Sequence, residues 1–201
     1  MNDAAPNPRR AEAEVDPRFL DRWSPRAFLS DPVPEESIRS LFEAARWAPS
    51  AMNEQPWLFL YAVSEEERAR FLEPLVEGNR VWAKRAPLLL YVLARRTFET
   101  SGKPNRTALF DTGAAWISLA LEARRLGLYA HGMAGFDQEK AHRILGAPEE
   151  AYEVIAAVAI GRKGARSDLP EELAAREEPS GRKPLASVAR RGGLNGPEIR
   201  G

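Results

Sequence analysis

The sequence predicts an α+β domain in which helices pack on a small sheet. Short apolar runs of strand length, 57–63, 87–94 and 154–160, are spread along the chain. Between them lie segments with helical spacing, capping residues and terminating Gly or Pro, in irregular alternation. No G-x-G-x-x-G or G-x-x-x-x-G-K-[ST] follows any strand candidate, which argues against a dinucleotide-binding Rossmann domain or a P-loop NTPase.

Each element has a local reason. Residues 1–16 are rich in Ala, Pro, Asn and charge, lack an apolar signal region and read as a mobile tail. A helix starts after Pro34, with Glu35 and Glu36 at its positive end and Ile38, Leu41, Phe42 and Ala45 at helical spacing. Pro49 stops it, and 57–63 follows as a buried strand. Ser64 and Glu67 form a capping box that opens a second helix, with Phe71 and Leu75 on its inner side. After the strand at 87–94, the polar stretch 97–107 reads as a loop or lid.

The longest helix is predicted over 109–126. Its centre, 113–121, is apolar almost all round, which predicts burial on all sides. Gly127 is its C-cap, and 128–134 is extended. Asp137 caps a short helix ending near Gly146, 154–160 is a strand, and 171–176 a short helix. The folded domain thus spans 17–188, and 189–201, Gly-rich and basic, reads as a flexible tail.

Composition narrows the chemistry. The 201 residues include 29 Lys+Arg and 29 Asp+Glu, so no net charge draws the chain to nucleic acid or to a membrane surface. Cys is absent, which removes disulfides, thiol nucleophiles and Cys-ligated metals. The two histidines, His131 and His142, lack metal-ligand spacing, and no metal site is expected. No run approaches the roughly 20 apolar residues that span a bilayer, and a cytoplasmic protein is expected.

Four stretches could bind a ligand. Arg22-Trp23-Ser24-Pro25-Arg26 places two guanidinium groups and a hydroxyl within reach of one anion, although a solvated basic turn has the same composition. Arg182-Lys183 is a second basic pair, equally compatible with a solvated tail. The loop from Pro49 to Pro56 carries Ser50, Asn53 and Gln55, which could read a heterocycle edge or satisfy the local backbone. In Met133-Ala134-Gly135-Phe136-Asp137, Gly135 permits close backbone approach to a ligand, while a plain strand-to-helix turn fits as well. His131 reads as a core histidine, Trp47, Trp57, Trp82 and Trp116 as core or interface residues, and Trp23 as a residue near a ligand.

Taken in order, Arg22-x-Ser24-x-Arg26, Ala48-Pro49-Ser50-x-x-Asn53-x-Gln55-Pro56-Trp57, Ala86-Pro87, Asp111-x-Gly113, Gly127-Leu128, Gly135-Phe136-Asp137 and Arg182 closely resemble the FMN-dependent nitroreductase family over residues 18–187. The resemblance implies a nitroreductase-like fold: a central, mostly antiparallel sheet between helices, with a C-terminal extension reaching the partner subunit. It implies a homodimer with two FMN sites at the interface and NAD(P)H as co-substrate. Arg22, Ser24, Arg26 and Arg182 would hold the phosphate and ribityl chain, and Trp23 would contribute its backbone. Pro49, Ser50, Asn53 and Gln55 would line the flavin ring from the other subunit, and Ala134 and Gly135 would lie beside its N5 and O4. No catalytic side chain is implied, since FMN carries the chemistry.

The chain departs from the family at Ala134, where many members carry Glu, and its 97–107 stretch does not match the family's gating aromatics. The implied activity is a ping-pong two-electron reduction of nitroaromatics, quinones or related acceptors. An FMN-binding module for storage or sensing without turnover, and a domain binding some other phosphorylated ligand, are the competing readings.

Overall fold

The computed structural model describes residues 7–199; residues 1–6 of the expected N-terminal tail and 200–201 of the C-terminal one lie outside the described residues. Four strands form one sheet: β1 (Trp57–Ala62), β2 (Leu88–Arg95), β3 (Tyr129–Met133) and β4 (Tyr152–Gly161). Their order is β1-β2-β4-β3, and every neighbouring pair is antiparallel. The helices are α1 (Pro17–Asp21), α2 (Glu35–Arg46), α3 (Glu65–Leu72), α4 (Glu77–Ala83), α5 (Ala108–Arg125), α6 (Gln138–Leu145) and α7 (Glu171–Ala174).

The sheet is buried on both faces. In β2, Leu88, Leu90 and Val92 point to a core shared with Ile38 and Leu41 of α2 and Ala115 and Leu119 of α5. The alternate residues Leu89, Tyr91 and Leu93 point to a second core with Trp82 of α4, Ala141 of α6 and Phe136 just before α6. Period-two alternation therefore divides one apolar strand between two helical layers, and the sheet lies packed between helices. A register shift at Val92/Leu93 bends the β2–β4 pairing.

Local signals placed most elements. Ser64 Oγ accepts from Glu67 N (3.2 Å), while the Glu67 carboxylate accepts from Ser64 N (3.0 Å). Gly127 (φ 75°) and Gly146 (φ 62°) close their helices in the left-handed region. Leu75 lies beyond the end of α3, buried and bridged to Phe136.

One expectation is corrected. The face of α5 carrying Leu109, Phe110, Gly113 and Ile117 is exposed, with Phe110 81% accessible. The opposite face packs on α2 and the sheet through Ala115, Leu119 and Ala123. Burial on all sides was expected because both faces are apolar, but among the described residues the second face is left uncovered. Trp47, expected in a core or an interface, is 74% exposed, its indole N–H donating to Glu43 Oε1 (2.8 Å).

Residues 7–16 contain no helix or strand but are tied to the domain. Asn7 Nδ2 donates to Leu20 O (3.0 Å), and Glu12 Oε1 accepts from Leu185 N (3.1 Å). No helix among the described residues is long and apolar enough to cross a membrane.

Candidate functional site

The segment after α1 is laid across the edge of the sheet. Leu29 N donates to Arg162 O (3.0 Å) and Gly164 N to Ala27 O (2.8 Å), so residues 27–29 pair with the chain leaving β4. Trp23 is buried and meets Tyr129 edge-on at 6.0 Å; Phe28 stacks on Trp82 at 6.2 Å. His131 of β3 stands beneath this segment, with Nδ1 2.8 Å from Pro25 O and its ring 4.5 Å from Trp82. A carbonyl can only accept, so Nδ1 carries the proton. Burial, reinforced by the nearby Arg26 and Arg22 charges, pushes the His131 pKa down to about 4 against the pull of that hydrogen bond. The imidazole is neutral and structural.

Arg22 and Arg182, 160 positions apart in sequence, meet at one cavity of about 1010 Å³. Lys183 and Arg9 add positive charge to its wall, and Trp116 and Ile117 of α5 supply an apolar side. Its volume is at the upper end of the roughly 300–1,000 Å³ of small-molecule sites. Burial and the Arg182 charge lower the Arg22 pKa. Among the described residues neither arginine pairs with a carboxylate. Glu12 and Glu14 also line the cavity, but its cations outnumber them, so its wall suits an anion.

Ser24 and Arg26 do not line that cavity. The Arg26 and Ala27 N–H groups donate to Glu177 Oε1 (2.8 and 2.9 Å), and Arg26 Nη1 lies 3.8 Å from Glu177 Oε2. Glu177 is 4% exposed, and its Oε2 makes no hydrogen bond. The Ser24 hydroxyl forms none among the described residues.

The loop between α2 and β1 is held in an unusual shape. Met52, Asn53 and Gln55 have φ of 54°, 57° and 51°. Asn tolerates this left-handed region, but Met and Gln adopt it at a cost on the order of 1–3 kcal/mol each. Ser50 Oγ accepts from Gln55 N (3.0 Å), Gln55 Nε2 donates to Asn53 O (3.1 Å), and Ala51 N donates to Asp111 Oδ2 (3.2 Å). Asp111 is buried in the first turn of α5 and also accepts from Thr107 Oγ1 (3.1 Å). Two of the polar side chains expected to read a ligand thus brace the loop, while Pro49 and Asn53 are exposed. None of the four lines the Arg22–Arg182 cavity.

Beyond β3, the Gly135 carbonyl accepts from Val76 N and Asn79 Nδ2, each at 3.1 Å. A Cβ at Gly135 would meet Asn79 Nδ2 at 2.8 Å and Val76 Cγ2 at 3.0 Å, so a side chain there would displace the Asn79 amide from the Gly135 carbonyl. The Gly135 N–H makes no hydrogen bond among the described residues. Ala134 is exposed beside it. Asp137 caps α6 by accepting from Lys140 N (2.9 Å). Trp116 connects the two regions: a Cβ at Gly132 of β3 would touch its ring at 3.5 Å.

Asp111, Glu177, Asn79 and Arg9 all hold the site together, and no role came to them from the sequence alone. Asp111 was visible inside the Asp-x-Gly pattern; the others act across separations that no local pattern encodes.

The fold is an α+β domain, and its cavity, lined by Arg9, Arg22, Arg182 and Lys183, lies beside α5. A sequence model of the Nitroreductase family matches residues 20–81 and 75–162, and the chain belongs to this family of oxidoreductases. A Thermus thermophilus protein named NADH dehydrogenase is 32% identical over 178 residues, covering 71% of this chain and 83% of its own. A Streptomyces coelicolor protein named for NADH dehydrogenase/NAD(P)H nitroreductase is 31% identical over 158 residues, covering 68% and 77%. A crystal structure described as an oxidoreductase containing FMN superposes with TM-score 0.88 at 46% identity, over 96% of this chain and 99% of that one.

Proposed function

We propose that the chain is an FMN-dependent oxidoreductase that uses NAD(P)H to reduce nitroaromatic, quinone or related small acceptors. The convergence of Arg22 and Arg182 on a cavity of cofactor size carries this reading. The FMN named for the 46% identical structure supports it.

In this reading Arg22 and Arg182 hold the phosphate, Ser24 and Arg26 reach the phosphate and ribityl chain, and Trp23 contributes its backbone. The free Gly135 N–H, next to Ala134, donates to the flavin edge at N5. When bound, FMN takes up two electrons from NAD(P)H and passes them to the acceptor in a ping-pong cycle. Pro49, Ser50, Asn53 and Gln55 line the ring from a second copy of the chain. The exposed apolar face of α5 and the exposed loop support such a homodimer, in which two-fold symmetry builds each shared site twice. The tails at 1–16 and 189–201 flank the FMN-binding domain over 17–188, and the C-terminal one extends towards the partner. The protein works in the cytoplasm, without nucleic acid or membrane.

The absorption spectrum of the purified protein tests this. Flavin bands that bleach with NADH or NADPH and return with a quinone or nitroaromatic are expected. Colourless protein that takes up no added FMN overturns the proposal. Bound FMN that no nicotinamide bleaches leaves a flavin-binding module in its place.

A further inference from the structure

Arg9 stands outside every motif used so far, yet its guanidinium is among the most fully engaged of the described residues. Nη1 donates to Arg22 O (2.6 Å) and Leu20 O (3.1 Å). Nε donates to Ser180 O (2.7 Å) and Nη2 to Ser180 Oγ (3.4 Å). One side chain therefore joins the turn that presents Arg22 to the loop that presents Arg182. Arg182 itself is folded onto that loop, with Nη1 donating to Ser180 Oγ (3.2 Å) and Gly181 O (2.8 Å).

The partners decide what this contact does. All four acceptors are neutral oxygens, and among the described residues no carboxylate pairs with Arg9. Asp21, whose charge acts on Arg9, is engaged by Arg124 at 2.6 Å. The Arg9 charge thus stays available to the cavity. Three guanidinium groups, those of Arg9, Arg22 and Arg182, line one cavity and repel one another. Burial and the Arg182 and Arg22 charges lower the Arg9 pKa. The segment carrying Arg9 closes one side of the cavity and is fastened again where Glu12 accepts from Leu185 N.

We propose that Arg9 is a positioning residue of the phosphate site: it ties the turn that presents Arg22 to the loop that presents Arg182, and the segment 7–15 is the strap that carries it. The proposal rests on the assignment of Arg22 and Arg182 to the FMN phosphate.

The test compares FMN with riboflavin, which shares the ring and ribityl chain but lacks the phosphate. The full chain, freed of flavin, is titrated with each ligand by quenching of flavin fluorescence. Arg9→Met should raise the FMN Kd by about ten-fold, because a displaced Arg22 or Arg182 loses charge-assisted bonding to the phosphate, and leave the riboflavin Kd unchanged. Arg9→Lys keeps the charge but not the fork and should fall between Arg9→Met and the parent, which also guards against a folding defect. Arg22→Met is the control for the underlying assignment. If Arg22→Met discriminates against FMN and Arg9→Met does not, the Arg9 proposal fails and the phosphate assignment stands. If Arg9→Met weakens both ligands equally, Arg9 supports the fold alone and the proposal is overturned. If Arg22→Met leaves FMN affinity unchanged, the phosphate assignment itself fails, and this proposal with it.

Discussion

Acidification from pH 6.5 towards 4 should destabilise this protein through His131. The imidazole lies between Pro25 O and the Trp82 ring, and burial holds its pKa near 4, against an ordinary value of 6.5. Above pH 6.5 the ring is neutral in both folded and unfolded chains and contributes no pH dependence. Between 6.5 and about 4 the unfolded chain takes up a proton that the folded one refuses, so stability falls as pH falls. At 1.36 kcal/mol for each pH unit of separation, the loss reaches at most roughly 3 kcal/mol. That is a large part of the 5–15 kcal/mol typical of a domain. His131→Asn keeps a donor where Nδ1 stands and cannot titrate. It should lower stability at neutral pH, because the stack on Trp82 is lost, but its profile from pH 7 to 4 should be flatter than the parent's by up to about 3 kcal/mol. Urea unfolding at half-unit pH intervals measures both profiles. Exposed acids such as Glu43 affect the two proteins alike, so parallel profiles would refute the assignment of a neutral, buried His131.

Other perturbations probe different parts of the molecule. Asp111→Ala should cost about 1–3 kcal/mol by leaving Ala51 N without its acceptor, and should weaken FMN binding through the loosened loop; unchanged protease sensitivity around residue 52 would contradict this. Gly161→Ala should cost about 1–3 kcal/mol, because its Cβ would lie 2.7 Å from Pro87 Cδ and 3.2 Å from Phe28 Cδ1; an unmoved urea midpoint would show that the ring gives way. Ser64→Ala should remove about 1 kcal/mol from α3, since the capping box loses one of its two bonds, without changing flavin affinity. A thermal shift independent of that variant would count against the cap.

What could be read from the sequence was local. The Ser64–Glu67 box, the Asp137 cap, and the stops at Gly127 and Gly146 each depend on residues a few positions apart, and they appear where local chemistry places them. Helix α4 escaped notice because Gly78 and Asn79 are poor helix formers; the burial of Trp82 and Ala83 outweighs their preference. The left-handed backbone at Met52 and Gln55 had no glycine to announce it. It is sustained by Asp111, some sixty positions later, through a contact that sequence spacing does not encode. The motif Arg22-x-Ser24-x-Arg26 was conspicuous, but the partner of Arg26, Glu177, lies 151 positions away. Chemical type was therefore legible where placement was not.

The order in which the chain is made gives the antiparallel topology a further meaning. Strand β3 leaves the ribosome before β4, the neighbour it pairs with. Residues 27–29 wait longer still, since their backbone partners are Arg162 to Gly164. Glu177, which gathers the Arg26 and Ala27 amides, and Ser180, which receives Arg9, come later again. A nascent chain stopped before Ser180 can place Arg9 against Leu20 and Arg22 but lacks the loop that presents Arg182. The cavity between Arg22 and Arg182 is thus a late product of synthesis, complete only once residues 181–188 have met residues 8–22.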